Sequence, residues 1–389
     1  MADESTPPVL PELLRLEGGQ PVTTREEWEQ RRRPELLEWF RANVYGRAPV
    51  GRTDGMRFTL LESGPAFEGI ATRKQVRILF SDDPEAPYMD VLVYIPNQRT
   101  GPAPVFLGPN ARGNHALSDD PAVPESTKRS IGQPRTRLRG GTPWPIERVI
   151  RRGYALATFH VSDVAPDMAD GWKDGVQSLF DPVAWPDGRP DDAWGTIAVW
   201  AWGMSRVIDY LETDPDLDAR RVAVFGQSRR GKAALWCAIE DERIALAIGN
   251  NSVGLGSALS RVPGGNDTIA HLVNYSPFWF STRLMPYAGQ DAAMPVDQHQ
   301  FLALIAPRRV YVACAANDKY AIPARDFWAC RAADPAWRLY GLSGFPSEAM
   351  PPPGEPLHGG HIAFHIREGA HGHEEQDWTW QLDYADRHL

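Results

Sequence analysis

The chain has 389 residues, 42% hydrophobic and 23% charged, long enough for a deep core and ordinary for a globular protein. Its formal net charge is -9; with no basic tract interleaved with aromatics, this argues against nucleic acid, and no uninterrupted apolar run reaches membrane-spanning length. The 35 prolines suggest a loop-rich molecule, in which the 14 tryptophans serve as core filler or as sugar-stacking platforms.

The N-terminus, "MADESTPPVLPELL", lacks the basic-then-apolar pattern of a signal peptide. A cytoplasmic protein and a secreted one whose leader was removed both stay open. Residues 1–20 are Pro-rich and expected to be extended; residues 21–389 are expected to form one domain. "TTREEWEQRRRPELLEWFRANVYG" predicts a helix with Thr23 or Thr24 as N-cap, acids in the first turn and Gly46 as the stop. Within it, "RRRPE" (Arg31–Glu35) is flanked by acids and reads as a solvated helix start. "RKQVRILFS" and "YMDVLVYIP" are strand-like, the second alternating apolar and polar. "PAPVFLGPN" and "GYALATFHVSD" are short continuous apolar runs, as in strands buried on both faces.

"WGTIAVWAWGMSRVIDYLETDP" predicts an amphipathic helix, "RRVAVFG", "ALAIGNNS" and "RRVYVACAAND" further strands, and "WTWQLDYADRHL" a closing helix. Strands alternating with helices imply an α/β fold, a mainly parallel sheet covered by helices in three layers. Neither an internal repeat nor a low-complexity linker divides it. Cys237, Cys314 and Cys330 are an odd number at no metal-like spacing, a poor disulfide framework in which two remain able to pair.

The stretch "VAVFGQSRRGKAALW" (Val222–Trp236) approximates a nucleophile elbow, G-x-S-x-G, with the second glycine one residue late. A buried strand, a tight turn and a helix surround Ser228, at the carboxyl edge of the sheet where open α/β folds place their sites. The amide after it opens a helix and is ready to donate to an oxyanion. The alternative is a serine that merely caps the helix. A serine nucleophile needs a histidine base oriented by a carboxylate, in the chain order Ser, acid, His of an α/β-hydrolase fold. Asp318 ends the strand "VYVACAAND" in the acid's place. "HIAFHIREGAHGHEEQDW" then supplies His361, His365, His371 and His373, expected in a loop before the last helix. Four histidines so close also suggest a metal site, but few carboxylates or cysteines stand there at ligand spacing.

These residues resemble the glucuronoyl esterases, carbohydrate esterase family 15, in its bacterial branch and over nearly the whole chain. The likeness is carried by "TTREEWEQRRRPELLEWFRANVYGR", "NARGNHALSDDP", "DDAWGTIAVWAWGMSRVIDYLETDPDLDARRVAVFGQSRRGKAALW", "NNSVGLGSALSR", "PVDQHQFLALIAPRRVYVA" and "HIREGAH". That family's elbow is G-x-S-R-x-G-K, so the displaced glycine is its hallmark. The resemblance implies Ser228 as nucleophile, Arg229 as an oxyanion-stabilising arginine and His371 as base. It implies Lys232 as a lysine that binds uronate hydroxyls, and leaves Arg230 without a role and solvated. Of the two places where the family carries its acid, the one after the strand that follows the elbow helix holds "GNNSVG" without a carboxylate, which leaves Asp318 in the loop after the next strand. Asn251 cannot replace it as an anion. His365 and His373 become structural or pocket-lining neighbours.

The sugar-reading residues depart from the family pattern. Tyr320 stands where bacterial relatives carry tryptophan, Phe278 rather than histidine precedes Trp279, and Asp267 aligns with a glutamate that contacts the uronate. Glu348 and Glu355, in a Pro-rich insertion, are further candidates to line the pocket. The implied reaction is hydrolysis of a glucuronate ester, of the kind joining glucuronoxylan to lignin, through a uronoyl-enzyme. It needs no metal or cofactor. The implied partner is a small-molecule or polysaccharide uronic acid ester, with no nucleic acid or membrane involved and the protein a monomer. The competing readings are an esterase for other esters, such as acetylated sugars, and a carbohydrate-binding homologue without turnover.

Overall fold

The apolar runs of the sequence become the strands of one nine-stranded sheet in the computed structural model, which describes residues 8–49, 51–126, 128, 144–180 and 189–389. The strands are β1 (Arg57–Ala66), β2 (Ala71–Leu79), β3 (Tyr88–Pro96), β4 (Ala103–Asn110), β5 (Ala155–His160), β6 (Leu217–Gln227), β7 (Leu246–Asn250), β8 (Arg309–Ala315) and β9 (Ile362–Arg367). They lie in the order β1-β2-β3-β5-β4-β6-β7-β8-β9. The first three join β5 antiparallel, and every pair from β5–β4 to β8–β9 is parallel. The strand order reverses around β4, so the carboxyl ends of β4 and β6 mark the switch point at which α/β folds place their ligand sites.

Helices cover both faces. On one side lie Thr196–Leu211 and Arg229–Glu240, with Trp200, Met204, Trp236 and Ile239 in the larger core. Ile146–Arg151 and Glu375–His388 cover the other, packing Ile146, Trp378 and Leu382 against Phe106 and Phe225. The helix Thr196–Leu211 is buried along its whole length. Gly203 lets it approach the sheet, because a Cβ there would stand 3.2 Å from the Phe159 ring. Trp28, Trp194, Trp200, Trp236, Trp337 and Trp378 are all fully buried, so these tryptophans are core filler.

Two expectations need correction. "RRRPE" is no solvated helix start but the middle of a continuous helical stretch. Thr24 caps that stretch with a capping box to Glu27, and Gly46 ends it at φ 81°. Arg32 is buried there and donates to the carbonyls of Leu13 and Glu12, while Arg33 donates to that of Leu304. The N-terminal segment brings carbonyls that need donors, and Arg32 supplies them. Secondly, "HIAFHIR" is strand β9, not loop: Ile362, Phe364 and Ile366 pack into one core and Ala363 into the other. Leu357 pairs with Phe364, so the Pro-rich insertion runs along this edge strand and shields it. Cys237, Cys314 and Cys330, whose pairing the sequence leaves open, are all free and buried, and burial pushes their thiols well above the ordinary range.

Candidate active site

Strand β6 delivers Ser228 at its carboxyl end, and the helix Arg229–Glu240 starts at the next residue. Ser228 has φ 61° and ψ −130°, a region that costs a non-glycine residue about 1–3 kcal/mol. The late glycine has a steric cause. A Cβ at Gly226 would lie 2.2 Å from the Arg230 carbonyl, and one at Gly231 would lie 2.9 Å from both the Gly226 carbonyl and the Ser252 side chain. Strand and helix thus cross closest at Gly226 and Gly231, leaving room for an arginine at 230. Arg230 is half-buried rather than solvated and donates to Gln227; burial pulls its pKa down to about 10.

The parallel register of β8 and β9 sets the loops that follow them side by side, and the Asn317 amide donates to the Gly369 carbonyl at 2.9 Å. Asp318 and His371 meet there, with Nδ1 2.7 Å from Oδ2. The same oxygen accepts from Asn251 Nδ2 at 2.8 Å, and Oδ1 accepts from the Tyr320 amide at 2.9 Å. Burial works to raise the Asp318 pKa, but the hydrogen bonds from His371, the Tyr320 amide and Asn251 outweigh it and hold the carboxyl below its usual range. An imidazole that donates from Nδ1 keeps Nε2 as a lone-pair acceptor, the form a general base requires. Tyr320 packs edge-on against this ring, centroids 4.8 Å apart.

Asn250, at the end of β7, ties serine and histidine loops together. Its carbonyl accepts from the Ser228 amide at 2.9 Å, and its side-chain amide donates to the Gly372 carbonyl at 2.7 Å. Its side-chain oxygen accepts from Gln381, whose own oxygen accepts from His373. The other histidines are engaged elsewhere: His365 with Asp377 and Tyr311, His361 with the Ser343 carbonyl.

As first residue of its helix, Arg229 has an amide without an intrahelical acceptor. Its guanidinium is clamped, ion-paired to Asp167 and lying 4.9 Å over the Trp279 ring, while Trp279 Nε1 donates to the other Asp167 oxygen at 2.7 Å. The loop after β4 turns the amides of Arg112 and Gly113 back onto Asn110 Oδ1. In many α/β-hydrolases that loop offers the second oxyanion donor; here those two amides are committed to Asn110.

Lys232 and Asp267 come together, but below the surface. Lys232 is 1% exposed and donates to the Ser252 carbonyl at 2.6 Å and to Asp267 at 3.2 Å. Burial lowers its pKa against the pull of Asp267. Glu348 and Glu355 are exposed, and Glu348 pairs with Arg331. Sequence reasoning missed Asp167. The signal that points to it is position alone, in the loop after the carboxyl end of β5.

The family model for fungal glucuronyl esterases matches residues 138–341. A carbohydrate esterase, MZ0003, from an unknown prokaryotic organism is 37% identical over 100% of this chain and 91% of its own length. A 4-O-methyl-glucuronoyl methylesterase of Hypocrea jecorina is 37% identical over 49% of this chain and 42% of its own. Among solved structures, a glucuronoyl esterase from Solibacter usitatus superposes with a TM-score of 0.92 at 39% identity, covering 98% of each chain.

Proposed function

Because the chain belongs to the glucuronoyl esterases, carbohydrate esterase family 15, we propose that this carboxylic ester hydrolase cleaves esters of glucuronate through Ser228, His371 and Asp318. The observation that carries the residue roles is the His371–Asp318 bond on a loop that Asn250 ties to a strained serine at a strand-to-helix turn. Asp318 fixes the imidazole with Nδ1 protonated, and Nε2 takes the Ser228 proton as Oγ attacks the uronoyl carbonyl. Charge then develops on the carbonyl oxygen. The Arg229 amide and its guanidinium meet that charge, each donor worth roughly 3 kcal/mol in a site of reduced dielectric. His371 returns the proton to the leaving alcohol, and water, activated by the same imidazole, releases glucuronate from Ser228.

The substrate reading draws support from the names of the relatives, which include methylesterases of 4-O-methyl-glucuronate. The buried Lys232–Asp267 pair supports a positioning role behind the sugar site, and Tyr320 against the base supports one as its wall. The test is alcohol release from benzyl and methyl glucuronate, set against acetylated sugars at matched concentration. Preference for the glucuronate esters, lost in Ser228→Ala, supports the reading; preference for acetyl esters refutes the substrate while leaving the chemistry.

A further inference from the structure

The imidazole of His371 stands on the short loop between β9 and the closing helix, so its aim depends on what fixes that backbone. Arg367, the last residue of β9, is 7% exposed and points its guanidinium back into the loop. Nη1 donates to the Glu368 carbonyl at 2.5 Å and Nη2 to the Ala370 carbonyl at 2.9 Å, on the chain leading directly into His371. Gly369 lies between them at φ 97°, and a Cβ there would stand 3.0 Å from Nη1. The loop is therefore wrapped closely around the guanidinium.

The guanidinium is itself held. Nε donates at 2.9 Å to Asp377 Oδ2, on a carboxylate with 0% exposure. The same oxygen accepts from the Glu374 amide at 2.7 Å, where the loop enters the closing helix, and Oδ1 accepts from His365 at 2.7 Å. Asn250 secures the Gly372 carbonyl on the far side of the histidine. Carbonyls before and after His371 thus have buried donors, and the planar fork of Arg367 alone serves two of them.

We propose that Arg367, locked by Asp377, is a positioning residue for the esterase: it sets the backbone from Glu368 to Ala370 and so aims the His371 imidazole at Ser228. The proposal rests on His371 being the base. Lysine keeps the charge opposite Asp377, but its single ammonium cannot reproduce a three-point planar contact. Loss of the fork therefore affects catalysis through geometry while leaving the substrate pocket alone.

The experiment compares kcat, KM, the pH profile of kcat/KM and thermal unfolding for wild type, Arg367→Lys, Arg367→Gln and His371→Ala on benzyl glucuronate. Misplacement of a catalytic group by an ångström costs about 100-fold. The expected result for folded Arg367→Lys is a kcat lower by about 10- to 100-fold, KM within about twofold, and a displaced pH limb. A folded Arg367→Lys with wild-type kcat, or a loss no larger than its unfolded fraction, overturns the proposal. If both arginine variants fail to fold, Asp377→Asn, which keeps the side chain's shape but neutralises the carboxylate that locks the guanidinium, decides: a reduced kcat at unchanged KM supports positioning and a wild-type kcat overturns it. Turnover surviving in His371→Ala overturns the base assignment itself, and the proposal with it.

Discussion

Replacing Asp318 by asparagine changes one atom and reverses a hydrogen-bond polarity. The carboxylate accepts three bonds, from His371 Nδ1 and Asn251 Nδ2 on Oδ2 and from the Tyr320 amide on Oδ1. An amide has one acceptor oxygen. With that oxygen toward His371, the new NH2 faces the Tyr320 amide, donor against donor. Turned the other way, the NH2 faces Nδ1 of His371, which must then carry its proton on Nε2 and can no longer receive one from Ser228. The amide at a corresponding triad position of a serine protease costs about 10⁴ in kcat, or about 5.5 kcal/mol, by this wrong-tautomer effect. One buried donor left without an acceptor adds about 1–3 kcal/mol of lost stability. Because the folded-state pKa of Asp318 lies below the ordinary value, its stabilising contribution is present above the unfolded pKa and is lost as pH falls through the folded one. The stability gap between wild type and Asp318→Asn therefore narrows in acid. Steady-state kinetics on benzyl glucuronate, with urea unfolding at pH 7 and pH 3, measure both effects. A folded variant keeping more than about a tenth of wild-type kcat/KM, against the 10⁴ loss expected, would rule out Asp318 as the group that holds the His371 tautomer.

Ser228→Gly relieves the backbone strain at φ 61°; unfolding should show a gain of about 1–2 kcal/mol together with complete loss of turnover. Gly231→Ala forces a methyl within 2.9 Å of the Gly226 carbonyl, and denaturant titration should show a loss of about 2–4 kcal/mol with activity reduced in step. His373, half-buried and stacked on Trp378, has its pKa pulled down to about 4 by burial. Between the unfolded value near 6.5 and about 4, the unfolded chain binds a proton that the folded one does not, so stability falls with falling pH. His373→Phe should remove about 1–3 kcal/mol of that fall, read as the change in unfolding free energy between pH 7 and pH 4.5.

Local signals carried much of the architecture. The apolar runs of β4 to β8 and the caps at Thr24 and Gly46 are visible in the sequence, as is the elbow, because each is written in neighbouring residues. What escaped depends on partners distant in the chain. β1 was not anticipated, since as an edge strand it exposes Leu60 and Leu61 and carries no buried alternation. β9 looked like loop because its histidine seems out of place in a strand until Asp377, in the closing helix, pairs with it in the core. Arg32 read as solvated because its acceptors are carbonyls of a segment that folds back on it. Asp167 has no motif; only folding carries it to Arg229 and Trp279. The resemblance supplied roles for Ser228, Arg229 and His371, while the burial of Lys232 beneath the site could not be read from its place one turn past the serine.

The most direct test of the account is the release of benzyl alcohol from benzyl glucuronate by wild type and by Ser228→Ala. Wild type is expected to turn the ester over saturably, and the folded variant to lose several decades of that rate. Turnover that survives in Ser228→Ala, or a wild type silent on glucuronate esters at every concentration, would contradict the account.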